Sequence, residues 1–508
     1  MYVRRPVKID LGHIGELSIT NLPGSCGNPI STSPIIAHTG ILSIFSTGFC
    51  IGILHYDGIM KVHFEKKGSA LMKKFAFIGA GSLQFTTSCM RDLLTFPAFK
   101  DCEIALMDLN PNNLENVYKV CQRIKEAMEC PDCRITTTTD RVEALKGADG
   151  VLCTVFNGGI DIWRHDIEIP KKYGVDINIG DTRSVSGIFR ALRNIPLLLD
   201  ICKDIETYCP HAVFLNYTNP MAMLCNAMQK YANVDVTGLC HSVQGTAHML
   251  ADWLEVPYDE LTYTCAGVNH QAFYLKLEHN GVDLYPRLKE MVKDPEVYDR
   301  ERVRNEMLTH LGYYVTESSG HNSEYNAWFR KRPDLIEKYC NHGTSWNPGV
   351  YAFSLKGREE RAKDPGKQYR EWMEKPVDTK KSSEYAANIF NARLGDGLPF
   401  VFNGNVLNEG AISNLPYDAC VEVPVVADRM GMRKTIVGPL PDHLAILVNT
   451  TARIENLVVE AAMRKDKEAV YHAVAMDPLS SAVCSLEEIQ KMCDELFEIN
   501  KDFLADYR

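Results

Sequence analysis

The sequence predicts an α/β protein. Its first half reads as a Rossmann-like, doubly wound parallel sheet, and an α+β part follows. Three observations carry this. A short apolar run at 73–78 enters the turn Gly79-Ala80-Gly81-Ser82, and apolar residues at helical spacing follow at Leu83, Met90, Leu93 and Leu94. A second apolar run, 103–107, ends in the acid Asp108. Strand-like and helix-like segments then alternate as far as residue 156, the rhythm of a parallel sheet with crossover helices.

Each element has a local reason. Gly79 permits the tight turn, and Gly81 lets the backbone approach a pyrophosphate at the helix N-terminus beside Ser82. Gln84 stands where a third glycine is usual, so the loop alone specifies little. Asp108 suits a ribose-hydroxyl acceptor and favours NAD over NADP, because a carboxylate repels an added phosphate. A helix over 111–128, a strand over 134–138, a short helix capped by Asp140 and a strand over 150–156 complete the pattern. Asn157-Gly158-Gly159 then falls at the carboxyl ends of the strands, where such folds hold a cofactor. Asn219 closes another strand, 212–217. It either binds a sugar or ribose hydroxyl or caps the next helix.

Bulk properties exclude several functions. The chain has 508 residues, enough for two domains, and a formal net charge of −10 without a basic run, so nucleic acid has no electrostatic support as a partner. Seventeen cysteines at irregular spacing do not form a disulfide framework and point to a reducing cytoplasm. Cys130 and Cys133 lack a second pair at zinc spacing. Residues 35–54 are uncharged, but three glycines and His38 break any membrane-span pattern, and no membrane association is expected. Residues 1–71 read as an unstructured or non-native extension. Glu65-Lys66-Lys67-Gly68-Ser69 precedes Met72 like a translated ribosome-binding site, and Met72 is the expected start.

A second constellation lies downstream. Cys240-His241 ends a strand over 236–239, and Asn269-His270 ends the segment 265–268. Thiolate plus imidazole at strand-to-loop transitions suits zinc or a late transition metal. By pattern alone, each is equally a buried thiol or a hydrogen-bonded core histidine.

From Met72 onward the chain resembles glycoside hydrolase family 4, the NAD- and Mn2+-dependent glycosidases, which are related in fold to lactate and malate dehydrogenases. The resemblance rests on Phe77-Ile-Gly-Ala-Gly-Ser82, Gly180-Asp-Thr182, Asn216-Tyr-Thr-Asn-Pro220, Gly238-Leu-Cys-His241, Gly267-Val-Asn-His270 and Thr316-Glu-Ser-Ser-Gly-His-Asn-Ser-Glu-Tyr325. These recur in family order. The resemblance implies Cys240 and His270 as Mn2+ ligands, His241 as proton donor, and Asn219 and Asp181 as sugar contacts. Gly79, Gly81, Ser82, Asp108 and Asn157 would hold NAD. For the general base, Glu317, His321, Glu324 and Tyr325 compete, with Tyr325 and Glu317 ranked first.

The implied chemistry is oxidation, elimination, addition and reduction. NAD+ takes hydride from carbon 3, the resulting ketone acidifies the carbon-2 proton, and Mn2+ stabilises the enolate. The aglycone leaves, water adds, and the hydride returns. The Cys-His pairing and the 316–321 stretch look closest to the α-galactosidase (melibiase) branch, acting on melibiose- or raffinose-type substrates. α-Galacturonidase, α-glucosidase and 6-phospho-glycosidase stand behind it. A 2-hydroxy-acid dehydrogenase without metal is the alternative from another class. The expected organisation is the extension 1–71, an NAD-binding domain 72–261 and a catalytic, substrate and oligomerisation domain 262–508 in a cytoplasmic homodimer or homotetramer.

Overall fold

Lys74–Ile78 (β1) runs between two parallel neighbours, Glu103–Met107 (β2) and Gly150–Cys153 (β4). Arg134–Thr138 (β3) extends the sheet beyond β2; Val213–Asn216 (β5) and Asp235–Gly238 (β6) extend it beyond β4. All five pairings are parallel, giving the spatial order β3-β2-β1-β4-β5-β6, the order of a dinucleotide-binding sheet. The computed structural model describes residues 72–340 and 347–508, together with strand segments within the first 71 residues.

Both faces of this sheet are buried, and so its strands are apolar without alternation. Phe75 and Phe77 face one hydrophobic cluster, shared with Met90 and Leu93 of α1 (Leu83–Leu94) and Val117 and Val120 of α2 (Pro111–Ala127). Ala76 and Ile78 face the other, with Trp163 of α3 (Gly159–Lys172) and Ile188, Leu192 and Ile195 of α4 (Ser184–Tyr208). The cap expected at Asp140 is present, and Asn110 caps α2 as well. Asn110 accepts from the amides of Asn112 and Asn113, and Asp140 accepts from that of Val142.

The strand read over 150–156 stops at Cys153. Beyond Thr154 the chain leaves the ladder, because the amide of Val155 donates to Thr218 Oγ1 at 3.0 Å rather than to a strand. That departure opens the crevice at the carboxyl edge.

The second half continues the same sheet. Phe400–Leu407 (β10) pairs antiparallel with β6 through Gly238 and Asn405. Cys420–Asp428 (β11), Leu261–Val268 (β7), Gln271–His279 (β8) and Val282–Asp283 (β9) follow in space, with Gly431–Lys434 (β12) beside β11. The tight β7–β8 connection presents His270. The helix Asp442–Arg464 packs on α4 and on α5 (Met221–Tyr231), with Leu444, Val448 and Val459 buried. Residues Lys73–Arg508 form one compact unit.

The other unit, Met1–Met72, contains four antiparallel strands in sequence order: Ile35–Ile36, Ile41–Ser46, Phe49–Tyr56 and Ile59–Lys66. Ile9–Asp10 pairs separately with Ser18–Ile19. The rest of the segment set apart as an extension lies outside the described residues. No described helix is long and apolar enough to cross a membrane.

Gly79 has φ +84, and a Cβ there would lie 2.3 Å from the carbonyl oxygen of Thr154. Both strain and collision forbid a side chain. Gly79→Ala is expected to lower Tm and weaken dinucleotide binding about ten-fold or more, measured by thermal melts and fluorescence titration with NADH.

Candidate active site

The carboxyl ends of β4, β5 and β6 open into a cavity of ≈ 660 Å³. Ser82 and Thr154 line it at the glycine-turn end; Asp181, Asn219, Cys240, His270 and Glu317 line its middle; Glu301 and Arg304 line the far end. This is where open α/β sheets bind ligands.

At the glycine-turn end, Asp108 Oδ2 accepts from the Gly81 amide at 2.8 Å and Oδ1 accepts from the Asn110 amide at 2.8 Å. A Cβ on Gly81 would come within 2.5 Å of that carboxylate. Ser82 precedes α1 without capping it by its side chain, so the first helical amides remain available to an anion. Asn157 donates to the carbonyl of Arg193 at 3.0 Å, which ties the segment after β4 to α4. Glycine turn, bare helix N-terminus and acid at the end of β2 together fit a dinucleotide.

The middle of the cavity is built around Asp181. Thr182 Oγ1 donates to Asp181 Oδ1 at 2.7 Å and lies 3.0 Å from His270 Nδ1. Burial alone would raise the Asp181 pKa, but His321, His270 and Arg190 outweigh it and hold the carboxyl at about 2. Asp181 is therefore ionised and accepts the only Thr182 hydroxyl proton. Thr182 must then accept from His270 Nδ1–H, leaving Nε2 as the nitrogen with a free lone pair.

Cys240, His270 and Glu317 each offer a ligand atom, all within 4.8 Å of one another; Asp181, His270 and His321 form a second such group. Burial, with Glu317 and Glu422 adding to it, pushes the Cys240 thiol up to about 12. A divalent cation reverses that by binding the thiolate. Thiolate, imidazole and carboxylate with open positions is a donor set of catalytic type, so these residues fit a metal.

His241, beside Cys240, is more than half open, its side chain 58% exposed. Desolvation opposes its charge, but contact with Glu384 prevails and raises its pKa to about 9, so it stands protonated at neutral pH. Glu384 also accepts from Tyr217 Oη at 3.0 Å. Asn219 donates to Asp181 Oδ2 at 3.1 Å, and its own Oδ1 is buried without a partner. An unsatisfied amide oxygen in a cavity wall is an acceptor for a ligand hydroxyl.

Residues 317–325 include a helix, Ser319–Tyr325, which Ser318 caps by accepting from the His321 amide at 3.2 Å. The four competing bases separate on it. Glu324 accepts three successive amides, of Asn178, Ile179 and Gly180, at 2.7, 2.9 and 3.0 Å. Tyr325 sits behind His321, ring centroids 5.9 Å apart, with the Arg183 guanidinium 4.8 Å from its ring. It faces a small void that Glu455 and Asp477 also line, and burial pushes its hydroxyl far up. Glu317 and His321 line the large cavity, 3.3 Å apart.

Sequence reading missed Thr182 as the group orienting His270, although it stands inside the quoted Gly180-Asp-Thr182 motif. It also missed Glu384, Glu301 and Arg304. Glu384 lies 143 residues from His241 and carries no local signal.

A dinucleotide-type sheet carrying a metal-competent donor set at its carboxyl edge defines a nucleotide- and metal-assisted enzyme class. The family 4 glycosyl hydrolase model matches residues 74–256, and the family's C-terminal domain model matches 265–480. The chain belongs to that family, and it is a glycosidase. It is 39% identical over 449 residues to an α-galactosidase of Bacillus subtilis (strain 168), covering 86% of this chain and 100% of that one. It is 26% identical over 459 residues to an α-galacturonidase of Thermoanaerobacter italicus, covering 85% and 98%. The fold also matches a 6-phospho-α-glucosidase from gut microorganisms solved with NAD and Mn2+, with TM-score 0.71 at 21% identity, covering 85% of this chain and 99% of that one.

Replacing Glu324 by Gln leaves at least one of three buried amides facing an NH2 group. Glu324→Gln is expected to cost about 2–3 kcal/mol in denaturant unfolding and to reduce turnover with it. Unchanged stability would show that the carboxylate does not hold the 178–180 segment.

Proposed function

We propose that this protein hydrolyses α-galactosides, using NAD and Mn2+, with α-galacturonides, α-glucosides or 6-phospho-glycosides as the alternatives in the same family. The observation that carries the reading is the donor set Cys240, His270 and Glu317 at the edge of a dinucleotide crevice. The 39% identity to an α-galactosidase supports the choice of sugar.

Bound NAD+ supplies a reversible hydride acceptor, and bound Mn2+ a Lewis acid for the oxidised sugar. The chain's own residues do the rest. Gly79, Gly81, Ser82 and Asp108 seat the dinucleotide, with Asn157 fixing the neighbouring segment. Asp181 and Asn219 hold sugar hydroxyls: the ionised carboxylate accepts, and the unpartnered Asn219 Oδ1 takes a second. Cys240 Sγ and His270 Nε2 would hold the metal. Glu317, beside them in the cavity wall, would accept the carbon-bound proton, with Tyr325 behind His321 as the other candidate. His241, kept cationic by Glu384, donates to the leaving oxygen. We read residues 72–261 as the nucleotide domain and 262–508 as the catalytic and oligomerisation domain of a cytoplasmic homodimer or homotetramer. The hydroxy-acid dehydrogenase reading is the weaker one, since its reaction has no use for Cys240 beside His270.

Release of nitrophenol from nitrophenyl α-galactoside is expected to require NAD+, Mn2+ and a thiol reductant. Net NADH accumulation with malate or lactate, without sugar release, would overturn the reading. Cys240→Ser is expected to lose metal binding and turnover while keeping NAD affinity, by calorimetry. Glu317→Gln should cost about 100-fold or more in kcat and Tyr325→Phe less than about ten-fold; the reverse order transfers the base role to Tyr325.

A further inference from the structure

The far end of the cavity holds a charge pair outside the roles assigned so far. Arg304 Nε donates to Glu301 Oε2 at 2.8 Å, and its Nη1 donates to Thr246 Oγ1 at 3.0 Å. The guanidinium also lies 5.3 Å from the Tyr314 ring. Glu301 Oε2 additionally accepts from the Ser319 amide and hydroxyl, at 3.1 and 2.8 Å. The two side chains are 4% and 3% exposed, and both line the cavity. Arg304 contributes to the electrostatics of His321 and feels the charge of Glu317, so the pair borders the sugar rather than the nucleotide.

A buried guanidinium in a sugar pocket would ordinarily be the anchor for a carboxylate or phosphate on the substrate. Here that anchor is already matched by a carboxylate of the protein. We propose that the Glu301–Arg304 pair is a specificity element that admits a neutral hydroxymethyl group at carbon 6 and rejects a carboxylate there. This inference rests on the α-galactoside reading and deepens it. An incoming carboxylate at this pair would face Glu301, and Arg304 could serve it only by giving up Glu301. A buried carboxylate left without its partner is costly. A hydroxyl meets no such opposition and can donate to Glu301 or accept from Arg304.

The test compares nitrophenyl α-galactoside with nitrophenyl α-galacturonide on the NAD- and Mn2+-loaded enzyme, with calorimetric Kd values for the corresponding methyl glycosides. Wild type is expected to favour the galactoside. Glu301→Gln leaves Arg304 uncompensated and should move the galactoside-to-galacturonide ratio of kcat/KM, and of affinity, about ten-fold or more toward the galacturonide. Glu301→Asp keeps the charge and should keep the ratio. Arg304→Met leaves the Ser319 bonds to Glu301 in place, so it carries the same test should Glu301→Gln melt early, and it should move the ratio the opposite way. The double variant Glu301→Gln/Arg304→Met should return to within about three-fold of wild type, as charge restoration requires and simple damage to the site does not. A wild type that prefers the galacturonide overturns both this inference and the α-galactoside reading. A wild type that prefers the galactoside, with ratios unmoved in the single variants, overturns this inference alone.

Discussion

The site depends on a buried carboxylate that does no chemistry. Glu324 gathers the amides of residues 178–180, and beside it Arg330 donates to the carbonyl of Asp176 at 2.8 Å and to Ser323 Oγ at 2.9 Å. Between them they clamp a segment without regular secondary structure to the helix Ser319–Tyr325. Asp181 and Thr182 follow directly, and through Thr182 the clamp reaches the tautomer of His270. A backbone turn with three donors aimed inward has no solvent to satisfy it, so the carboxylate is what makes the turn stable. The positions of Asp181 and Thr182 and the orientation of the His270 imidazole are thus consequences of one hydrogen-bonded knot.

Electrostatics divides the cavity into ends with different tasks. Around Cys240, burial and neighbouring carboxylates favour the protonated thiol, and only a cation makes the cluster comfortable. Next door, His241 is tipped the other way by a single carboxylate, Glu384, brought in from the far part of the chain. Adjacent residues therefore stand in opposite environments, the thiol kept protonated and the imidazole kept charged. At the far end the Glu301–Arg304 pair is internally neutral, which leaves hydrogen bonding rather than charge to recognise what enters.

Sharing a single sheet explains how these groups come together. β6 ends at Gly238 and delivers Cys240. It is also the strand that β10 joins antiparallel, and from there the sheet continues through β11 and β7 to the turn carrying His270. The parallel part of the sheet and its antiparallel extension are therefore joined by backbone hydrogen bonds, and Cys240 and His270 come from opposite sides of that junction. The parallel strands supply the crevice; the antiparallel extension brings His270 to it.

The parallel sheet was legible from the chain alone because buried strands, glycine turns and helix caps are local signals. The apolar run Phe75 to Ile78, the glycine at 79, the acid at 108 and the cap at Asp140 each show in a window of a few residues, whatever they pack against in the fold. Cys240 and His270 were legible as candidates because each ends a strand, and motif order set them in a known family. What the linear order could not decide was which of Glu317, His321, Glu324 and Tyr325 faces the cavity. They lie within nine residues of one another, and only helix phase together with packing against residues 176–180 separates them. Glu384 and the Glu301–Arg304 pair were invisible for the same reason. Glu384 lies 143 residues from His241, and although Glu301 and Arg304 are near neighbours in the chain, their burial in one cavity wall is a property of the folded surface rather than of spacing.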